Sequence, residues 1–287
     1  MGHRTRTENP SSPDRDALLD AYWQLHRMHP QHLVRLESAS PGQLPLPEEL
    51  RHESRDKYRI VMTMILSPLK RDIQLAPCLG RLFKMHPGFD SLRNLEKSEI
   101  RRLLGPIKDG GIGLGDPQGS NTARLWSVLR SYFGPWMETL TPENTQALLR
   151  EEGFRAKTVR LLDAYCWGNK DVFPLDQAAF NALVKLGLYG PADNKDVVRA
   201  DVEGKLAGEE RVALIDFHEM LRFHEQYTDK SPSEQKNVVV GWNAWRLLCS
   251  IEREGITEDW RWIYEHLVSD EDIAQELWHF YRKISDP

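Results

Sequence analysis

The chain has few features of several common classes, and each shortage excludes something. It holds three cysteines in 287 residues, Cys78, Cys166 and Cys249. They stand far apart and match neither a metal-ligand nor an iron–sulfur spacing, so no metal or cofactor is expected, and reduced thiols in a cytoplasmic protein are. No run of about 18 apolar residues occurs, so no membrane span is expected. Residues 1–13 are polar, with Ser and Pro, and lack the apolar core of a secretory signal; they read as a disordered tail. Strand signals are weak, and the best of them, Asn237-Val-Val-Val240, lies inside a helical pattern. No internal repeat or low-complexity segment is found.

What is present is an ordinary globular composition, 40% hydrophobic and 28% charged, long enough for two modest domains or one elaborated helical one. The net charge of -5 hides an uneven distribution. Residues 51–110 carry 13 Lys/Arg against 7 Asp/Glu, and residues 201–287 carry 10 against 19. A basic N-terminal half can face a polyanion while an acidic tail faces solvent, although such asymmetry also arises where it only sets solubility.

Apolar residues recur at three- and four-residue spacing almost throughout, so the fold class expected is all-α. Helices are expected over 14–28, 53–66, 72–85, 98–104, 122–133, 142–151, 157–166, 177–186, 209–227, 234–253, 257–268 and 271–283. Residues 108–120 hold five glycines and a proline and must be a loop, while 190–208 is mixed. Thr141-Pro142-Glu143 and Ser231-Pro232 are helix starts: a hydroxyl cap, then proline at the first helical position. The Gly110-Gly-Ile-Gly-Leu-Gly run has no strand before it and no Lys-Ser/Thr after it, so it is a weak nucleotide-binding signal. His218 and His224 are six apart, which is not the spacing of metal ligands on one helix face; they read as solvated or core residues. Trp242, Trp245, Trp260, Trp262 and Trp278 read as core.

The segment 148–188 is the most informative. A helix ends at Gly153, a second begins at once with Lys157 in its first turn, and nineteen residues later Asp176 heads a third. A helical hairpin aims backbone N–H groups and a helix dipole outward, and together they bind phosphate without reading sequence. The plainer reading is a helix connection with a glycine C-cap, a solvated Lys157 and an Asp176 that simply caps its helix.

Arg150-Glu-Glu-Gly153-Phe154-Arg155-Ala-Lys157-Thr158-Val resembles the Leu-Pro-Gly-Val-Gly-x-Lys-Thr-Ala hairpin of the helix-hairpin-helix DNA glycosylases, the superfamily of endonuclease III. Pro174-Leu-Asp176-Gln resembles that family's next landmark, a Val-Asp-Thr-His-like stretch. Looser likenesses are Ile65-Leu-Ser-Pro-Leu-Lys-Arg-Asp72, Ile112-Gly-Leu-Gly and the segment from Asp216-Phe-His218 to Tyr227-Thr, so that the resemblance spans roughly residues 55–230. The chain departs from the pattern in lacking the second hairpin glycine, in carrying Glu151 and Glu152 where phosphate would approach, and in lacking the four-cysteine cluster.

The resemblance implies a two-lobed helical fold over 14–230 with the hairpin at 142–166, and a C-terminal extension over 231–287 packed on the N-terminal lobe. It implies a monomer acting on double-stranded DNA, flipping a damaged or modified base into a cleft and cutting its N-glycosidic bond. A bulky, phage-type hypermodified base is one such substrate. Asp176 would stabilise the sugar cation, and Lys157 would be the amine nucleophile of a glycosylase with AP-lyase activity. Gly153, Phe154, Arg155, Thr158, Lys70, Arg71 and Lys108 are candidate DNA contacts, and Leu69 and Leu114 candidate apolar wedges lining the cleft. Two other readings stay open: a base-modification enzyme on the same fold, like those named for thymine-hypermodification pyrophosphorylase activity, and a non-catalytic DNA-binding module.

Overall fold

The computed structural model describes residues 12–28, 62, 66, 72–115, 119, 123, 126, 156–240, 260–266 and 271–285. Its regular elements among these residues are helices, without a strand. Helix α1 spans Arg15–Met28 and is opened by Asp14, whose carboxylate accepts the Ala17 N–H at 2.7 Å. Leu18, Ala21, Tyr22 and Leu25 form its buried stripe at helical spacing. Ser12 and Pro13, assigned to the tail by composition, are tied down. Ser12 donates to Asp201 at 2.7 Å, and Lys205 donates to the Pro13 carbonyl at 2.7 Å.

Helix α2 (Asp72–Met85) ends where its periodicity predicts and buries Cys78, Leu79, Leu82 and Phe83. The single turn α3 (Phe89–Leu92) and α4 (Lys97–Leu104) follow, the Glu99 carboxylate accepting the Glu96 N–H at 2.7 Å at the start of α4. The glycine-rich stretch is a folded loop. A 3-10 turn at Ile107–Asp109 leads into a chain that returns to α4, where Ile112 N–H donates to Leu103 at 2.7 Å and Gly115 N–H to Leu104 at 2.7 Å. Arg81 donates twice to the Ile112 carbonyl, at 3.0 and 2.8 Å. The fold-back is so close that a Cβ on Gly111 would stand 2.3 Å from the Gly105 oxygen.

Helix α5 spans Ala156–Trp167 and α6 spans Gln177–Lys185. Helix α7 (Lys195–Leu206) occupies the stretch read as mixed, with Asn194 as its cap. Its apolar stripe is narrow, Val198, Val202 and Leu206, and it contains Gly204, which weakens a helical pattern. Helix α8 (Leu214–Tyr227) starts five residues later than expected, because 209–213 forms a turn that buries Val212 and Ala213. Helix α9, over 232–240, follows, with Glu234 accepting from the Ser231 hydroxyl at 2.7 Å. Helices α10 (Trp260–His266) and α11 (Glu271–Ser285) pack on each other, and α11 also meets α2.

The main core joins α1, α6, α7 and α8 through Leu18, Tyr22, Phe173, Phe180, Leu183, Val202, Phe217 and Leu221. A smaller cluster, Leu161, Ala164, Ala213 and Ile215, ties α5 to the start of α8. These two clusters hold the start of α6 between α5 and α8.

Candidate functional site

Asp176 lies at the end of an extended segment, φ -109° and ψ -176°, and its Oδ1 accepts the Ala179 N–H at 2.9 Å. This N-cap bond turns the carboxylate toward the helix N-terminus, where an anion is favoured. The segment before it is pinned by buried Phe173 and by the Phe173 N–H, which donates to Glu203 at 2.8 Å.

The other carboxylate oxygen receives two cations. Lys157, in the first turn of α5, donates from Nζ to Oδ2 at 2.7 Å. Arg222, from α8, places Nε 3.2 Å from the same oxygen. The Arg222 Nη1 lies 3.1 Å from Glu219, an i,i+3 partner on its own helix. His218 packs at this level of α8, fully buried, with Nε2 3.7 Å from Glu219 and its ring edge-on to Phe173. Neither of its ring nitrogens has a hydrogen-bond partner among the described residues. Asp176 is 14% exposed, Arg222 20% and Lys157 36%, so the pair of carboxylate and guanidinium is inside while the amine reaches the edge.

Burial alone would raise the Asp176 pKa. The charges of His218, Arg222 and Lys157, with the Ala179 N–H, overcome it and hold the carboxyl well below the usual carboxylate range. Burial drives the His218 ring the other way, well below its ordinary value, against the attraction of Asp176. A ring kept neutral by burial adds no charge at neutral pH, so there the anion rests on Arg222, Lys157 and the helix start. The arrangement is a fixed carboxylate anion beside a half-exposed amine, able to stabilise a developing positive charge.

Of the residues singled out from sequence, Lys157 and Asp176 are brought together. Thr158 is partly exposed one position along α5, and Lys108 is exposed on the 3-10 turn. Leu114 is not a surface wedge: it is 4% exposed and packs inward with Ile112, whereas Ile107 on the same loop is 57% exposed. The fold-back of the glycine loop onto α4 turns Leu114 inside. Leu69, Lys70, Arg71, Gly153, Phe154 and Arg155 lie outside the described residues, as does the hairpin turn. Trp260 and Trp278 are half-buried.

Sequence reasoning missed Glu219 and Arg222 and read His218 only as solvated or core; it is core, and it adjoins Asp176. The available signal was spacing alone: Glu219 and His218 stand three and four residues before Arg222 on one helix, which makes each its neighbour on the helix surface. Among the described residues, no three His, Cys, Asp or Glu side chains converge as a metal site requires, and no helix is long and apolar enough to cross a membrane. Comparison of the chain with protein-family models, curated proteins and solved structures finds no match in any of the three.

Proposed function

We propose that the protein is a DNA N-glycosylase of the helix-hairpin-helix type, acting as a monomer on double-stranded DNA to excise a damaged or modified base. The observation that carries this reading is the 2.7 Å contact between Lys157 and Asp176, in a carboxylate that also caps α6. In this reading the segment ahead of α5, expected from sequence to form a hairpin, holds the phosphate backbone and the flipped nucleotide sets its C1′ against Asp176. The N-glycosidic bond breaks, its electron pair leaves with the base, and the carboxylate stabilises the sugar cation. Water adds its hydroxyl to C1′, and its proton balances the departing base.

The ion pair bears on the role of Lys157. To attack C1′ its ammonium must first lose a proton. Asp176, the anion in contact, is held well below the usual carboxylate range and is a poor acceptor for it. This favours a hydrolytic enzyme in which Lys157 steers phosphate, over a lyase.

The test is incubation with duplexes carrying oxidised, alkylated and bulky 5-substituted bases. Free base and alkali-labile sites are expected, and both are expected to disappear in Asp176→Asn. A base that is altered but still attached to its sugar would identify base-modifying chemistry instead. Retention of the protein's cellular activity in Asp176→Asn would identify a non-catalytic DNA-binding module.

A further inference from the structure

We propose that Arg222, braced by Glu219, is the positioning residue that fixes the Asp176 carboxylate, and that Lys157 is the partner that can leave it. The inference rests on the glycosylase reading for what Asp176 does to substrate, but not for what Arg222 does to Asp176. Four groups act on this carboxylate: Lys157 from α5, the Ala179 N–H from α6, and His218 and Arg222 from α8, with Glu219 reaching it only through Arg222.

The two cations share one oxygen but differ in how they are held. Lys157 is 36% exposed on a flexible stem at the first turn of α5, and water screens such an amine. Arg222 is 20% exposed, with a rigid planar head that stands 3.2 Å from Asp176 through Nε, in ion-pair contact without a hydrogen bond, and donates to Glu219 through Nη1. Glu219 is itself 16% exposed and sits one turn earlier on the same helix, so the backbone of α8 sets the fork. Attraction strengthens as water is excluded, which weights the deeper cation above the shallower one.

A carboxylate needed at a sugar must keep its charge and its aim when the amine beside it turns to the DNA. Arg222 and the Ala179 N–H together meet that need, one on each oxygen. Removing Arg222 would also take from Asp176 and Glu219 the cation they share.

The experiment follows the Asp176 carboxyl carbon by NMR in DNA-free protein made with 13C-labelled aspartate. Asp176→Asn identifies the resonance, and melting curves establish that each variant is folded. In wild type the carboxyl should stay ionised to the lowest pH at which the protein remains folded. Arg222→Gln should titrate about one pH unit or more above Lys157→Gln, with Arg222→Lys between them. If Arg222→Gln does not fold, the order of Arg222→Lys above Lys157→Gln carries the same conclusion. A Lys157→Gln carboxyl that titrates as high as either Arg222 variant overturns the proposal. Where base release is found, its loss on the acid side should move in the same order. Absence of base release from wild type would remove the glycosylase reading and leave the NMR ordering standing.

Discussion

Asp176 accepts Lys157 Nζ at 2.7 Å on one carboxylate oxygen and the Ala179 N–H at 2.9 Å on the other, so a single side chain both starts α6 and anchors the first turn of α5. The helix cap fixes the direction of the carboxylate, and the ion pair brings α5 to it. Structural and chemical roles are therefore not alternatives here, and substitutions have to be chosen to separate them.

Asp176→Asn makes that separation. Asparagine caps a helix about as well as aspartate, so the variant should fold and bind DNA with wild-type salt dependence. Base release should fall by about 100-fold or more, the usual scale for losing a charge aimed at the transition state. Single-turnover kinetics on a substrate duplex measure it. A variant that keeps its rate would remove Asp176 from the chemistry.

Lys157→Gln should retain base release and lose part of the DNA affinity. Wild-type protein should form no covalent complex with DNA under borohydride. Trapping that disappears in the variant would reverse the assignment and make Lys157 the nucleophile of a lyase.

The pH dependence of stability has a worked sign. The Asp176 pKa is depressed on folding, so its stabilising effect is complete above the unfolded value of about 3.9 and is lost only as pH falls through the lower folded value. It adds no slope between about pH 5 and 8. His218 is also depressed, by burial first; the unfolded chain takes up its proton near pH 6.5, and stability falls as pH drops below that. His26, His86 and His224 are lowered by burial and act in the same direction. His218→Leu should therefore melt with a smaller loss between about pH 6.5 and 5 than wild type. An unchanged slope would show that the ring is not buried as described.

The glycine loop assigns opposite effects to two aliphatic side chains. Leu114→Ala should cost about 2–5 kcal/mol of stability, as for other buried leucines. Ile107→Ala should leave the melting temperature within a few degrees of wild type, because its side chain is 57% exposed. If this loop enters the base stack, Ile107 and not Leu114 is the wedge, and a fluorescent base beside the target should report less flipping in Ile107→Ala. Equal flipping in both proteins would rule out the loop as a wedge.

Local patterns sufficed for part of this. The periodicity of residues 72–85 gives α2 and its end at Met85, and an aspartate ahead of Gln-Ala-Ala-Phe gives the cap of α6, because both depend on interactions within a few positions of the chain. Helix α7 escaped notice since a stripe as narrow as Val198, Val202 and Leu206 acquires meaning only when α1 covers it. The inward turn of Leu114 depended on the chain folding back to the α4 carbonyls, and both of its neighbouring aliphatics looked alike in sequence. That Lys157 and Asp176 belong together was legible from an order of landmarks that resembles the glycosylase pattern; that they touch was decided by packing α5 and α6 against α8. The same packing brought in Glu219 and Arg222, more than forty residues away, which no local rule connects to Asp176. Sequence determined the turns of α2 and the cap of α6, because propensity and capping act over one or two turns. Which charges meet was left to tertiary structure, because the burial that makes a charge seek a partner exists only once the helices have packed.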